Sequence, residues 1–177
     1  MALSGTPGTG KSTVARLLGR PYRTVEVAEL AVALRSGRRV GRGVEVDLPA
    51  LRRALRRRRP GTETQVYVGH LAHLLPVRDV VLLRCQPLEL ERRLGRSRRG
   101  SPKERRENML AEAVDVILLE CLGRRRRVWE VDTSARTPEA VAAAVRRLLE
   151  RRPPARVGCV NWLADPRVTE HLLVDRR

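Results

Sequence analysis

Residues 5–13 read GTPGTGKST, in which Gly5, Gly10, Lys11 and Ser12 fall at the spacing Gly-x-x-x-x-Gly-Lys-[Ser/Thr]. The chemistry open to such a loop is polyphosphate binding. Its glycines let consecutive backbone N–H groups face one anion, and a helix starting near Lys11 adds the positive end of its dipole. Lys11 is then placed to reach β- and γ-phosphates, and the Ser12 hydroxyl to ligate Mg²⁺. The competing reading is a glycine-rich turn with no nucleotide. The apolar MALS before the loop and VARLLG after it, a clipped strand and a helix, argue against that.

The other reactive side chains are dispersed. His70 follows an apolar run and has two readings: a strand-end group near the phosphates that positions water or senses the γ-phosphate, or a turn cap bonded to backbone. His73 can share a helical face with it, but two histidines without a third ligand make no zinc site. His171 lies in the tail and is expected to be exposed. Cys85, Cys121 and Cys159 are odd in number and far apart, so each reads as a buried or inert thiol rather than a metal ligand or half of a disulfide.

A phosphate loop needs a strand to feed it and a sheet to hold it. Ser12 to Leu18 read as a helix stopped by Gly19 and Pro21. YRTVEV, residues 22–27, reads as a strand, AELAVALRSG as a helix ending at Gly37, and RRVGRGVEV as a mobile connection without clear periodicity. Asp47 reads as the N-cap of a helix from Leu48 rather than as a catalyst, with Pro49 in the first turn, Leu51 and Leu55 on one face, and Pro60 and Gly61 as the stop. QVYVG, residues 65–69, reads as a buried strand leading into HLAHLLP. VVLLRC, residues 80–85, has the uninterrupted apolar run of a central parallel strand.

Pro87 then begins a helix through about Arg93, and the glycine-flanked GRSRRGSP separates it from a long helix running from Pro102 to about Glu120. Glu104 and Glu107 lie near that helix's positive end. VWEVD, residues 128–132, supplies a fifth strand, whose Asp132 is expected to bond to the loop beyond, and Pro138 opens the last core helix. RRPPARVG reads as a linker by composition, and the tail as at most a short helix around Trp162. Trp129 and Trp162 read as packing residues. Strands separated by helices specify an α/β fold with a doubly wound, five-stranded parallel sheet, which binds ligands at the carboxyl ends of its strands. The stretches 26–49 and 95–105 interrupt that pattern and are expected to close as flaps, since a phosphoryl group held near water would be hydrolysed.

At 177 residues the chain suits one domain. No run approaches about 18 apolar residues and the amino terminus is committed to the loop, so neither a membrane span nor a cleavable signal is expected, and the protein should be soluble and cytoplasmic. The net charge of +17 comes almost wholly from arginine, with lysine only at Lys11 and Lys103. That charge favours phosphate-rich partners, nucleotides in a site or RNA on a face, although LRRALRRRRP is explained as well by a solvated helix surface. Phe is absent and Tyr and Trp total four, which leaves no aromatic platform for single-stranded nucleic acid.

Taken together, SGTPGTGKST, GHLAHLLP, LRCQPLELERR, SPKERRENMLAEAVDVIL and VWEVDTSARTPEAV resemble the archaeal adenylate kinases related to the eukaryotic nuclear adenylate kinase that also serves small-subunit ribosome maturation. The resemblance spans roughly residues 2–150. It implies a P-loop NTPase core over residues 1–150, with 26–49 as the monophosphate (NMP) binding region and 95–106 as the lid, followed by a basic linker and tail over 151–177. It implies transfer of the γ-phosphoryl group of ATP to AMP with Mg²⁺, together with ATPase activity. It also implies contact with a small-subunit ribosomal protein of the platform and with pre-rRNA during rRNA processing. The alternative is a P-loop ATPase acting mainly as a ribosome assembly factor.

By position, Gly8, Gly10, Lys11, Ser12 and Thr13 would hold ATP, with Lys11 and His70 catalytic and Ser12 on the metal. The lid arginines Arg96, Arg98 and Arg99 are credible phosphate partners. Counting back from Ser101 gives Arg98, the preferred choice, while counting forward from ERR points nearer Arg96. In the NMP region Glu26, Glu29, Arg38, Arg39 and Arg42 are the charged candidates, and one or two of the arginines would clamp the AMP phosphate. Two departures stand out. Relatives carry an acidic residue two places before the histidine of GH, where this chain has Val68, and RSGRRVGRG replaces the usual acids of the NMP region.

Overall fold

Parallel strands buried on both faces organise the chain. The computed structural model describes residues 1–41, 43–58, 63–98 and 100–174. Strands β1 (Ala2–Ser4), β2 (Tyr22–Glu26), β5 (Thr64–Val68), β6 (Asp79–Arg84) and β7 (Arg127–Asp132) form one sheet in the order β2-β5-β1-β6-β7. Every neighbouring pair is parallel. The interior strand β6 is buried at all six positions, which is why its sequence shows no polar alternation.

Helices cover both faces. On one, α1 (Lys11–Leu18) and α7 (Pro138–Arg151) pack Val14, Leu18, Val141 and Val145 against Leu3, Val66, Val68, Val81 and Trp129. On the other, α2 (Val27–Ala33), α3 (Leu48–Arg57) and α6 (Val116–Gly123) bring Leu30, Leu51, Leu55 and Leu118 to Ala2, Val80 and Leu82. With no Phe available, Trp129 is the bulkiest fully buried side chain, and leucine and valine fill the rest. The expected helix from Leu48 is present: Asp47 accepts from Ala50 N at 2.9 Å and Pro49 sits in the first turn.

Several expectations need correction. The stretch read as a mobile connection is an antiparallel hairpin, β3 (Gly37–Val40) with β4 (Gly43–Val46), pairing Gly37 with Val46 and Arg38 with Glu45. Gly41, at φ 55°, allows the tight reversal; Arg42 lies outside the described residues. The helix expected to reach Gly37 stops at Ala33, because Ser36 N turns back to Ala31 O. The helix expected to run from Pro102 to Glu120 is two, α5 (Pro102–Ala113) and α6, broken where Asp115 takes φ 58°. Conversely α4 (Pro87–Arg96) extends one turn further than its apolar pattern suggests.

The stretch read as a linker lies along the sheet edge. Arg156 bridges in parallel to Trp129, whose indole N–H donates to the carbonyls of Pro153 and Pro154. Beyond it come a short 3-10 turn at Trp162–Ala164 and α8 (Pro166–Val174). Cys85 and Cys121 are buried, and burial pushes their thiols up to about 11 and about 12; Cys159 is exposed. No helix among the described residues is long and apolar enough to cross a membrane.

Candidate active site

The loop between β1 and α1 occupies the carboxyl edge at the middle of the sheet. Gly5, Gly8 and Gly10 take φ of 145°, 94° and 93°, backbone that other residues rarely adopt. Space matters as much as dihedral: a Cβ on Gly5 would fall 2.4 Å from Leu83 O, and one on Gly8 would fall 2.8 Å from Leu90 Cδ1 and 3.0 Å from Leu94. The loop is therefore pressed between β6 and α4. Gly10 is the N-cap of α1 without a side-chain cap, so the first N–H groups of the helix are open to an anion. Lys11 is buried and folds back over the loop, its Nζ donating to Gly5 O at 2.8 Å and Thr6 O at 2.9 Å. Ser12 is exposed beside it and Thr13 half-buried.

Beneath the loop lies a charged network that sequence reasoning misses. Arg84, the last residue of β6, is 1% exposed. Its Nε donates to Glu112 Oε1 at 2.8 Å, and its two other nitrogens pair with Asp115 and Glu130. Burial opposes the charge on Arg84, but Glu112 and Asp115 outweigh it and raise its pKa. Glu112 also accepts from Thr6 Oγ1 at 2.5 Å, Cys85 N at 3.1 Å and Trp162 Nε1 at 3.2 Å. One carboxylate thus ties the loop to β6, α5 and the tail. The signal in the sequence is an arginine directly after the apolar run Val80–Leu83, which obliges buried carboxylates to come from elsewhere.

The two histidines part company. His73 is buried, with Nδ1 2.9 Å from Ser4 Oγ and Nε2 2.7 Å from Glu120, so it braces β1 against α6. His70 is exposed at the mouth, just after Gly69 (φ 148°), and its pKa is lowered, first by desolvation from the surrounding walls and then by the Lys11 ammonium. Val68 is fully buried among the core residues of the α1 and α7 face. Among the described residues no group of three or more His, Cys, Asp or Glu gathers as a metal site.

Around the mouth, Arg98 stands at φ 49° in the turn after α4, one helical turn beyond the Leu94 that abuts Gly8, and Arg96 is in the last turn of α4. Arg99 lies outside the described residues. The far side of this segment is fixed by Ser101 and Glu104, a reciprocal capping box opening α5. In the hairpin, Arg38 pairs with Glu45 at 2.9 Å and Arg39 with Glu29 at 2.7 Å, both on the surface. Asp132 accepts from Ser134 N and Oγ, as expected, whereas His171, expected to be exposed, is half-buried where α8 brings it 3.2 Å from Glu91. A cavity of about 400 Å³ lined by Met1, Arg58, Thr64, Arg78 and Asp79 lies at the amino ends of the strands, at the opposite edge from the loop.

The comparisons with known proteins converge on this loop and sheet. A family model described as "AAA domain" matches residues 1–115. The chain is 40% identical to a protein of Thermococcus onnurineus described as "Putative adenylate kinase", over 98% of this chain and 97% of that one. Proteins of the same description from Pyrococcus abyssi and Archaeoglobus fulgidus are 38% and 37% identical, over 92% and 93% of this chain and 90% and 92% of theirs. The chain belongs to the archaeal adenylate kinase family of P-loop proteins. In fold it matches the crystal structure of shikimate kinase from Bacteroides thetaiotaomicron with a TM-score of 0.53, at 16% identity over 84% of this chain and 97% of that one. Family membership makes this a nucleotide kinase of the P-loop class.

Proposed function

We propose that the chain transfers the γ-phosphoryl group of ATP to AMP, giving two ADP. The observation that carries this reading is the loop itself, three positive-φ glycines over an uncapped helix start with Lys11 folded across them, in a member of the adenylate kinase family. On this reading Gly8, Gly10, Ser12 and Thr13 grip the β- and γ-phosphates through backbone and hydroxyl donors. Lys11 exchanges carbonyl oxygens for phosphate oxygens and offsets the charge that moves during transfer. Arg98 closes over the phosphates from the lid, residues 95–106, with Arg96 one step behind it. The hairpin within residues 26–49 presents Arg38 and Arg39 to the AMP phosphate. His70, neutral at pH 7, orients water when ATP is hydrolysed without an acceptor.

The Ser12 hydroxyl, exposed at the start of α1, suits a Mg²⁺ ligand; the buried Val68 does not. Bound there, Mg²⁺ would neutralise the β- and γ-oxygens. A second reading, an ATPase that serves small-subunit rRNA processing and grips a platform ribosomal protein or pre-rRNA, is favoured by the valine at position 68 and by the +17 charge. Measuring ADP formation from ATP and Mg²⁺ with and without AMP separates the two. Strong stimulation by AMP supports the kinase. Hydrolysis indifferent to AMP and accelerated by a ribosomal partner overturns it in favour of the second.

A further inference from the structure

We infer that Glu26 supplies the strand-end carboxylate that position 68 lacks, and that it completes with Ser12 the Mg²⁺ site of the bound nucleotide. The inference rests on the nucleotide reading above. The first support is register. Glu26, the last residue of β2, is the direct partner of Val68, the last residue of β5, and β5 in turn pairs with β1, which feeds the loop. The position left apolar on one strand is therefore acidic on the next, at the same height along the sheet.

The second support is the face. Val25 packs against the core cluster on the α2, α3 and α6 side, so strand alternation sends Glu26 to the opposite side, the side on which Val68 packs and α1 begins. Helix α1 starts with Lys11 and Ser12 at that carboxyl edge and then runs back down the sheet, packing against β2 as well as β1 and β5. Ser12 and Glu26 are both exposed there.

The third support is availability. Glu26 is the N-cap residue of α2 yet makes no capping hydrogen bond through its side chain. Acids elsewhere around the sheet are engaged: Glu29 with Arg39, Glu112 and Glu130 with Arg84, Glu120 with His73, and Asp132 with Ser134. Two strand spacings separate β2 from β1, roughly 10 Å. Mg²⁺ keeps several of its waters when it binds phosphates beside one carboxylate, so a carboxylate acting through a metal-bound water fits that span.

The test is metal binding, measured on the ADP complex of the full chain by Mn²⁺ electron paramagnetic resonance, with ADP affinity in chelator as a separate reading of the loop. Glu26→Gln is expected to weaken Mn²⁺ affinity about tenfold, the scale of losing a supporting ligand. Glu26→Asp, which keeps the charge, is expected to stay close to wild type. Glu26→Gln that binds Mn²⁺ as wild type does, while still binding ADP, overturns the inference and leaves the nucleotide reading standing. Wild-type protein that takes up no ADP, with or without metal, overturns both. Glu26 is exposed and caps nothing, so neither variant threatens the fold.

Discussion

The floor of the nucleotide loop and the two arms around its mouth are built from the same arginine-rich alphabet in opposite ways. Under the loop, Arg84 is desolvated and meets three carboxylates, one of which also holds Thr6 of the loop. In the hairpin, Arg38 and Glu45 leave 79% and 68% of their side chains exposed, and Arg39 and Glu29 are similarly open. A buried pair cannot lose one member cheaply, because the other is left charged away from water. Surface pairs are screened and worth little. The floor is thus a fixed shelf under the loop, while the arms hold their arginines on loose tethers; on the proposed reading the shelf sets the position of the phosphates and an anion takes over the arm arginines.

That contrast breaks most readily at Arg84. Arg84→Leu strands Glu112, Asp115 and Glu130 and is expected to cost about 3–5 kcal/mol, read as a melting temperature lower by roughly 6–20 °C in a chain of this size. A loss below about 1 kcal/mol would mean the network is wet and the shelf is not fixed. Next comes Lys11→Ala. If the loop grips the phosphates being transferred, turnover should fall at least about 100-fold, as when one preorganised charge partner of a transition state is removed, with the Arg84 network intact by thermal melting.

How far the sequence foretells these regions follows from how local each signal is. The glycine-rich loop is a run of consecutive residues and the interior strands are short stretches rich in apolar residues, so both are legible in the order of residues alone. Asp47 as a cap needs only its neighbours. The Arg84 network is illegible in detail because its partners come from α5, the α5–α6 break and β7, 28 to 46 residues away. The hairpin escapes such a reading because Val40, Val44 and Val46 alternate weakly among arginines and glycines, and only the pairing of β3 with β4, which brings Val46 to the core, gives the stretch a place. The break at Asp115 is hidden by apolar residues that continue straight through it. Val68 stands out as a missing acid, but its neighbour Glu26 becomes meaningful only once the strand order is known.

The two histidines, His70 at the mouth and His73 buried between β1 and α6, are probed by pH. The pKa values of His70 and His73 are both lowered from 6.5, burial being the first cause in each. Between 6.5 and those lower values the unfolded chain binds protons that the folded chain refuses. Stability is therefore complete above 6.5 and declines as pH falls through that window. His70→Asn should remove part of the slope. ATP hydrolysis without an acceptor should hold its rate as pH falls from about 7.5 towards 6.5, because the lowered pKa of His70 keeps its imidazole mainly neutral there, and fall at more acid pH; hydrolysis that rises on acidification would make the imidazolium the working form.

The smallest change in stability belongs to the hairpin. Arg38→Ala removes an ion pair that is mostly solvated, so unfolding free energy should move by no more than about 0.5 kcal/mol. Its functional effect should nevertheless be specific. If the hairpin clamps the acceptor and the loop alone holds the phosphates of ATP, the KM for AMP rises while the KM for ATP does not. Arg39→Ala provides the companion reading. Arg39 alternates with Arg38 along β3 and is tied to α2 through Glu29, so the residue whose loss raises the AMP KM identifies the hairpin face that meets the acceptor. Equal rises for both nucleotides would mean that the arm supports the loop rather than the acceptor, and the division between shelf and arm would then have to be redrawn.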